Sequence, residues 1–221
     1  MVGRNDNIKA VIWDLDGVVV DTMPDIVNAL RVAARAVGYG ELSDEQTRGK
    51  VGGGAVKAFQ LLFGDDGAQF VQPAVEHFAE YYPKHCADTS QLYPGVSEVL
   101  AGLGGRVRFA MATAKIRPAS LMLLETLGVR DYFDYVVTAD DMQRMKPDPQ
   151  SVQMILERFG LSGDQAVMIG DMKTDILAGR AAGVHTIGVT YGYGTAADLT
   201  AAGAEALVGA PSELIDVINS L

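Results

Sequence analysis

The sequence predicts an α/β protein in which a parallel β-sheet covered by helices is interrupted by an all-helical insertion. Two observations lead to this fold class. From residue 94 onward, short apolar runs of strand length alternate with longer stretches of helical periodicity. Between residues 21 and 92 the periodic stretches are helical, and no convincing strand pattern occurs there.

The predicted elements follow one another in a regular order. The first strand, 10–13, is a short apolar run typical of a buried strand, and a helix follows in which apolar residues from Ile26 to Val37 recur about every four positions before Gly38. The other predicted helices are 55–63, 72–82, 96–103, 118–127, 151–159, 175–182 and a last one from about 212. The other predicted strands are 107–111, 135–137, 166–169, 186–189 and 206–208.

The length indicates one domain with a large insertion or two small domains, because the chain has 221 residues and a typical domain has about 150. Loop-forming residues flank the helical block, from Asp21 to Pro24 at one end and at Pro94-Gly95 at the other. We therefore expect a Rossmann-like core formed by residues 1–20 and 93–221, with a helical cap domain formed by residues 21–92.

The charge and composition argue against several classes of protein. Lys and Arg total 18 against 28 for Asp and Glu, so the formal net charge is −10, which argues against a nucleic-acid or anionic-membrane partner. The single cysteine, Cys86, allows no intrachain disulfide and fits a reducing compartment. Residues 1–10 carry no apolar signal-peptide region, and no apolar run is long enough to span a bilayer. We expect a cytoplasmic protein whose oligomeric state stays open.

Acidic, hydroxyl and ammonium side chains follow the predicted strands at their carboxyl ends, where open parallel sheets bind ligands. In chain order they are Asp14, Asp16, Thr113, Lys146, Asp171 and Asp175. Crowded carboxylates repel one another unless a cation lies among them, and oxygen ligands with open positions suit Mg²⁺. A lysine and a threonine beside that metal have a phosphoryl group as their natural partner. The residues alone therefore indicate Mg²⁺-dependent phosphoryl chemistry.

The same segments resemble the four motifs of a known superfamily. They are Asp14-Leu15-Asp16-Gly17, Thr113, Lys146-Pro147, and Gly170-Asp171 followed by Asp175. In this order, each at a strand end, they resemble the haloacid dehalogenase superfamily, and within it the phosphatase branch that has a helical cap inserted after the first motif. The resemblance covers nearly the whole chain, from about residue 9 to the last helix.

The resemblance implies a role for each motif residue. Asp14 would be the nucleophile that forms an aspartyl-phosphate, and Asp16, neutral when the substrate binds, would protonate the leaving oxygen and then activate water. Thr113 would hydrogen-bond a phosphoryl oxygen, and Lys146 would neutralise charge on the phosphoryl group and on Asp14. The implied cofactor is Mg²⁺, held by Asp14, the backbone carbonyl of Asp16, Asp171, and Asp175 either directly or through a water.

Two positions depart from the family pattern, and one residue has an alternative role. Val18 stands where members often have threonine, although sugar-phosphate mutases of the family can carry valine there. Ala114 stands where members often have asparagine; its backbone N–H can still bind the phosphoryl group, but an amide side-chain contact is lost. Asp175 also stands where a helix cap is expected.

The predicted cap is expected to close over the site and to select the substrate. Its segment from Arg48 to Gly54 resembles the cap loop of phosphoglycolate phosphatases, as does the segment 188–194, whereas 113–117 and 137–141 resemble related pyrophosphatases. Arg48, Lys50 and Gly52 are therefore candidate substrate-binding residues, together with Thr113, Ala114 and Lys146. For Arg48 and Lys50 the alternative is that they are solvated surface cations.

These observations predict a Mg²⁺-dependent phosphatase for a small phosphorylated metabolite, with 2-phosphoglycolate as the best single candidate. Three alternatives stay open. Val18 favours a phosphomutase of the β-phosphoglucomutase type, and the segments 113–117 and 137–141 favour a pyrophosphatase. The third is a binding protein that keeps the fold without catalysis, against which the complete set of acids argues.

Overall fold

A computed structural model describes residues 7–221 and confirms the α/β class. Residues 1–6, which belong to the polar segment examined for a signal peptide, lie outside the described residues. The described strands are β1 (Ala10–Trp13), β2 (Val20–Asp21), β3 (Gln91–Leu92), β4 (Arg108–Ala112), β5 (Tyr135–Val137), β6 (Ala166–Gly170), β7 (His185–Val189) and β8 (Ala206–Val208).

Within residues 7–221, six strands form a parallel sheet in the order β5-β4-β1-β6-β7-β8. The central strand β1 and its neighbour β6 are buried along their whole length, which explains why they consist of apolar residues and glycine rather than an alternating pattern. A cluster around Ile12, Ala110, Ile155 and Met168 packs one part of this core. The short strands β2 and β3 form a separate two-stranded sheet.

The described helices agree with most of the predicted ones. They are α1 (Met23–Ala36), α2 (Asp44–Arg48), α3 (Ala55–Phe63), α4 (Ala68–His85), α5 (Val96–Leu103), α6 (Arg117–Thr126), α7 (Gln150–Phe159), α8 (Lys173–Ala181), α9 (Ala196–Ala202) and α10 (Leu214–Ser220). The helical periodicity of the sequence did not predict α2 and α9. Both are short, and both have an N-cap that could have indicated them: Ser43 accepts the backbone N–H of Gln46, and Thr195 accepts that of Asp198.

The chain divides into two compact units. One consists of the residues up to Asp21, of Leu92–Arg117 and of Leu127–Leu221, and contains the six-stranded sheet. The other consists of Thr22–Gln91 and Pro118–Thr126 and is mainly helical. This division places residues 118–126 of α6 with the helical unit. The boundaries given above, 1–20 and 93–221 for the core and 21–92 for the cap, stay a prediction.

The helical unit has an aromatic core of its own. The rings of Tyr39 and Phe63 have centroids 4.0 Å apart, and Phe59 lies 5.2 Å from Phe63 and 6.2 Å from Phe78. Phe59 is fully buried. Such pairs contribute beyond the apolar area that they bury, so this unit is packed around its own side chains.

A buried carboxylate joins the two ends of the helical unit. Asp25, in the first turn of α1, accepts hydrogen bonds from the backbone N–H and the hydroxyl of both Thr89 and Ser90, at 2.6 to 3.2 Å. Burial opposes ionisation of Asp25, but these hydrogen bonds hold its pKa below the ordinary value. The segment that precedes β3 is thereby fixed to the start of α1.

Candidate active site

Three adjacent strands bring the candidate residues together at one edge of the sheet. The sheet order places β4, β1 and β6 side by side, and Trp13 at the end of β1 is in register with Met111 and Ile169. Asp14 follows Trp13 directly, and its backbone N–H donates to the carbonyl oxygen of Ile169 at 3.0 Å. Residues that are distant in the sequence therefore meet where the parallel strands end.

Asp14, Asp171 and Asp175 form a buried cluster in which one carboxylate oxygen of each lies within 4.8 Å of the others. The three residues are 8%, 0% and 1% exposed. The Oδ1 atom of Asp171 has no hydrogen-bond partner among residues 7–221, although buried polar atoms normally have one. An oxygen-only set of donors with an unpaired buried oxygen fits a hard divalent cation such as Mg²⁺.

Lys146 places a positive charge in this cluster. Its Nζ atom lies 2.9 Å from Asp14 Oδ1 and 2.6 Å from Asp175 Oδ1, and it donates to the carbonyl oxygen of Ala112 at 2.8 Å. The contacts with Asp14 and Ala112 are hydrogen bonds, and the contact with Asp175 is an ion pair. The side chain is 4% exposed, so Lys146 is fixed between the acids and the end of β4.

Burial and crowding of charge shift the pKa values in this cluster. Burial raises the pKa of Asp14 to about 7, although Lys146 opposes the rise. Burial, together with Asp175 and Asp14, raises the pKa of Asp171 well above its usual range. Burial disfavours the charge of Lys146, but Asp14 and Asp175 outweigh it and hold the pKa of Lys146 above the usual range. A cation among the carboxylates would favour their ionised forms.

Asp175 has a capping role beside its place in the cluster. Its Oδ2 atom accepts the backbone N–H of Met172 at 2.9 Å, at the start of α8. Its Oδ1 atom contacts Lys146. Asp175 therefore caps a helix and also belongs to the cluster. The two roles are compatible because each uses a different carboxylate oxygen.

The segment that follows β7 surrounds Asp171, a contribution to the site that the sequence analysis missed. The backbone N–H of Tyr193 donates to Asp171 Oδ2 at 2.7 Å. Gly17, with φ +80°, and Gly192 lie against the same oxygen, and a β-carbon at these positions would come within 2.1 and 2.6 Å of it. The signal that could have indicated this contact is the pair of glycines at 192 and 194 just after a predicted strand.

Thr113 and Ala114 lie directly after β4. Thr113 is 1% exposed, and its backbone N–H donates to the carbonyl oxygen of Val137 at 3.0 Å. Its Oγ1 atom accepts the backbone N–H of Lys115 at 3.2 Å. A hydroxyl that accepts one hydrogen bond also has a hydrogen to donate, so Thr113 suits a phosphoryl oxygen. Ala114 is half-buried between these two residues.

The structure adds a residue to which the sequence analysis gave no role, Lys115. Its side chain is 4% exposed, and its Nζ atom lies 2.9 Å from Asp16 Oδ1. The Asp16 side chain is 24% exposed, and its carboxylate is not one of the three that cluster. The signal that could have indicated Lys115 is a lysine three residues beyond the end of a buried strand, because a side chain of that length can reach the adjacent turn.

The three cap residues that the sequence predicts for substrate binding lie in the helical unit. Arg48 ends α2 and is exposed, whereas Lys50 and Gly52 are half-buried. Gly52, Gly53 and Gly54 have φ values of +124°, +78° and +89°, a conformation that favours glycine. The part of Arg48, Lys50 and Gly52 in substrate binding stays a prediction.

Comparison with known proteins identifies the family. The model for haloacid dehalogenase-like hydrolases matches residues 11–189. The chain therefore belongs to the haloacid dehalogenase-like hydrolase family, as its motifs predict. Its similar proteins include phosphatases from several bacteria, and this chain is therefore a phosphatase.

The similar proteins include two named phosphatase types. The phosphoglycolate phosphatase of Vibrio cholerae is 35% identical over 196 residues, which cover 85% of this chain and 86% of that protein. The N-acetylmuramic acid 6-phosphate phosphatase of Pseudomonas aeruginosa is 32% identical over 216 residues, which cover 96% and 95%. A crystal structure from Haemophilus somnus, called a predicted phosphoglycolate phosphatase, has a TM-score of 0.88 at 24% identity and covers 96% of this chain and 98% of that one.

Within residues 7–221, no helix combines the length and the apolar character that crossing a membrane requires.

Proposed function

We propose that this phosphatase depends on Mg²⁺ and hydrolyses a small phosphorylated metabolite through an aspartyl-phosphate on Asp14. The observation that carries the proposal is the cluster in which Asp14 lies next to Lys146 and within 4.8 Å of two further buried carboxylates. The named relatives support 2-phosphoglycolate as the first substrate to test. We also infer that the protein works in the cytoplasm, because a single cysteine fits a reducing compartment.

In the first step, a carboxylate oxygen of Asp14 forms a bond to phosphorus as the bond between phosphorus and the leaving oxygen breaks. Asp16 gives its proton to that oxygen. In the second step, water attacks phosphorus and loses a proton to Asp16, and the bond from phosphorus to Asp14 breaks to release inorganic phosphate. Thr113 and the backbone N–H of Ala114 hold phosphoryl oxygens, and Lys146 offsets their charge.

The residues that would hold Mg²⁺ are Asp14, Asp171, Asp175 and the backbone carbonyl of Asp16. The ion supplies charge neutralisation at the phosphoryl oxygens. The chain's own contribution is to fix the ligands: Tyr193 holds one oxygen of Asp171, and Met172 holds one oxygen of Asp175. Orientation of ligands by such hydrogen bonds is usual around metal sites in proteins.

The helical unit is proposed to select the substrate, with residues 21–92 as the cap and with Arg48, Lys50 and Gly52 contacting the leaving group. The relative from Pseudomonas aeruginosa favours a second candidate class, an amino-sugar 6-phosphate that carries a carboxylate. Both candidates combine a phosphate monoester with a carboxylate, for which the cations Arg48 and Lys50 are suitable partners.

A screen of phosphorylated metabolites tests the proposal. The purified protein is assayed for release of inorganic phosphate from 2-phosphoglycolate, N-acetylmuramate 6-phosphate, glucose 1-phosphate and pyrophosphate, with Mg²⁺ and with EDTA. We expect hydrolysis of a carboxylate-bearing ester in Mg²⁺ alone, and no turnover by a folded Asp14→Asn variant. Turnover by that variant, or equal turnover in EDTA, would contradict the proposal.

The same screen separates the alternatives. A mutase of the β-phosphoglucomutase type would convert glucose 1-phosphate to its 6-phosphate isomer without release of phosphate, and a pyrophosphatase would prefer pyrophosphate. A binding protein without catalysis would hydrolyse none of the four compounds. Covalent chemistry is tested directly by acid quenching during turnover, followed by mass spectrometry of the peptide that contains Asp14, which should carry one phosphoryl group.

A further inference from the structure

We propose that Lys115 is a positioning residue that orients the carboxyl group of Asp16 for proton transfer to the leaving oxygen. The inference rests on the proposed function, because it assigns a partner to the residue proposed as acid and base. The carrying observation is the 2.9 Å contact between Lys115 Nζ and Asp16 Oδ1, formed by a lysine side chain that is only 4% exposed.

The backbone of Lys115 is held on both sides of the residue. Its N–H donates to Thr113 Oγ1 at 3.2 Å, and its carbonyl oxygen accepts the backbone N–H of Ala139 at 3.0 Å. The loops after β4 and β5 therefore fix the position from which the side chain extends. Since that side chain is buried, its ammonium group has few alternative positions.

Asp16 is the more exposed partner of the pair, with 24% of its side chain accessible against 4% for Lys115. It lies in the turn after β1, where Gly17 donates its backbone N–H to the carbonyl oxygen of Val20. An aspartate at an accessible turn can rotate about its side-chain torsions unless a partner holds it. Lys115 supplies that partner from a fixed position.

The contact also distinguishes the two oxygens of Asp16. An ammonium group has hydrogens only to donate, so Oδ1 of Asp16 accepts from Lys115. With Oδ1 held at this point, the carboxyl group has a fixed direction. Proton transfer to an oxygen in a bond of fixed direction requires an acid group that is itself fixed in direction.

Lys115 and Lys146 serve different acids. Lys146 contacts Asp14 and Asp175 within the buried cluster, whereas Lys115 contacts Asp16. Lys146 therefore contacts the proposed nucleophile, and Lys115 contacts the proposed acid. Loss of Lys115 is expected to impair proton transfer by Asp16 and to leave the contacts of Lys146 with Asp14 and Asp175 unchanged.

The test compares two esters that differ in their need for a proton. Ethyl phosphate has a poor leaving group, whereas the leaving group of p-nitrophenyl phosphate departs without protonation. Values of kcat/KM, which report on the step that forms the phosphoenzyme, are measured with Mg²⁺ for the wild type, Lys115→Met, Asp16→Asn and the double variant. Lys9→Met, which removes an exposed lysine just before β1, is the matched control for loss of one positive charge.

We expect Lys115→Met to lower kcat/KM for ethyl phosphate about 100-fold, the cost of a misplaced catalytic group, and that for p-nitrophenyl phosphate less than about 5-fold. The loss should arise in kcat rather than KM. In the Asp16→Asn background the same substitution should change kcat/KM less than about 3-fold, because the residue through which it acts is already lost. Lys115→Arg should recover most of the activity.

Three results would overturn the inference. They are an equal loss on both esters, full additivity with Asp16→Asn, and a raised KM at unchanged kcat, the last of which would indicate direct substrate binding. If Lys115→Met fails to fold, Lys115→Gln is used with the same expectations. Inactivity of the wild type towards both esters and the metabolites above would reject the proposed function first, and the inference with it.

Discussion

The ammonium nitrogen of Lys146 lies 2.6 Å from the Oδ1 atom of Asp175, and both side chains are almost completely buried. Because the same nitrogen also contacts Asp14, Lys146 is the charge partner of two of the three clustered acids. Replacement of Lys146 should therefore lower both the stability and the activity of the protein.

The first prediction concerns that removal. Lys146→Met should abolish turnover and lower the free energy of unfolding by about 3–5 kcal/mol in EDTA, because it leaves buried carboxylates without their partner. Mg²⁺ should recover part of this loss by replacing the missing charge. Urea unfolding with and without Mg²⁺ measures both effects, with Lys9→Met as the control, and a variant as stable as the wild type in EDTA would contradict the prediction.

The second prediction concerns pH. Folding raises the pKa of Asp14 from an ordinary 3.8 to about 7, so the folded state holds that proton more tightly than the unfolded chain. Stability must then fall as pH rises through this window, by up to about 1.4 kcal/mol per unit, and the penalty is complete above the upper pKa. The Asp14→Asn variant has no ionisable group at this position, so it should not show this loss of stability.

The measurement is the difference in unfolding free energy between Asp14→Asn and the wild type in EDTA. This difference should shift in favour of the variant from about pH 4 to about pH 7. Mg²⁺ should reduce the shift because a bound cation favours the ionised acid. The exposed Asp66→Asn serves as the carboxylate control. A difference that does not change with pH would show that Lys146 fully offsets the burial of Asp14.

The third prediction concerns the turn that lies against Asp171. Gly17→Ala adds a β-carbon 2.1 Å from Asp171 Oδ2 at a residue with φ +80°, so it should displace the carboxylate and weaken Mg²⁺ binding about 10–100-fold. Gly183→Ala is the matched control, because Gly183 has φ +77° and nothing within 4 Å of the added carbon. Isothermal titration with Mg²⁺ measures the affinity; equal effects of the two substitutions would assign the loss to backbone strain alone.

The fourth prediction concerns the helical unit. Asp25→Ala leaves the backbone N–H groups of Thr89 and Ser90 without the acceptor that they have in the wild type, and should cost about 2 kcal/mol of stability. Because these hydrogen bonds hold the pKa of Asp25 down, their contribution is present at neutral pH and is lost as pH falls through that lowered pKa. The difference in stability between Asp25→Ala and the wild type should therefore become smaller at acid pH.

Thermal unfolding across pH checks this prediction, with Glu80→Ala as the control at an exposed position on α4. A loss of stability that is equal at neutral and acid pH would show that Asp25 acts through packing rather than through its charge.

The sequence predicted the site residues best where a reactive side chain directly follows a recognisable strand. Asp14 and Asp171 could be placed together because both end apolar runs, and parallel strands align their carboxyl ends. Lys115 was missed because its contact is with Asp16, 99 residues earlier in the chain; the position of the lysine after β4 indicates how far its side chain reaches but does not identify its partner. The short helix α9 was missed because it is largely alanine, without the apolar periodicity that indicates longer helices.

The hydrogen bond from the backbone N–H of Tyr93 to the carbonyl oxygen of Val19 joins the points at which the chain leaves the sheet-containing unit and returns to it. In polymer terms, residues 22–91 are then a loop whose ends are already closed, and each doubling of such a loop costs only about 0.6 kcal/mol. The length of the inserted segment therefore has little effect on the stability of the sheet. The inserted segment can therefore vary in length while the acids at the strand ends keep their positions.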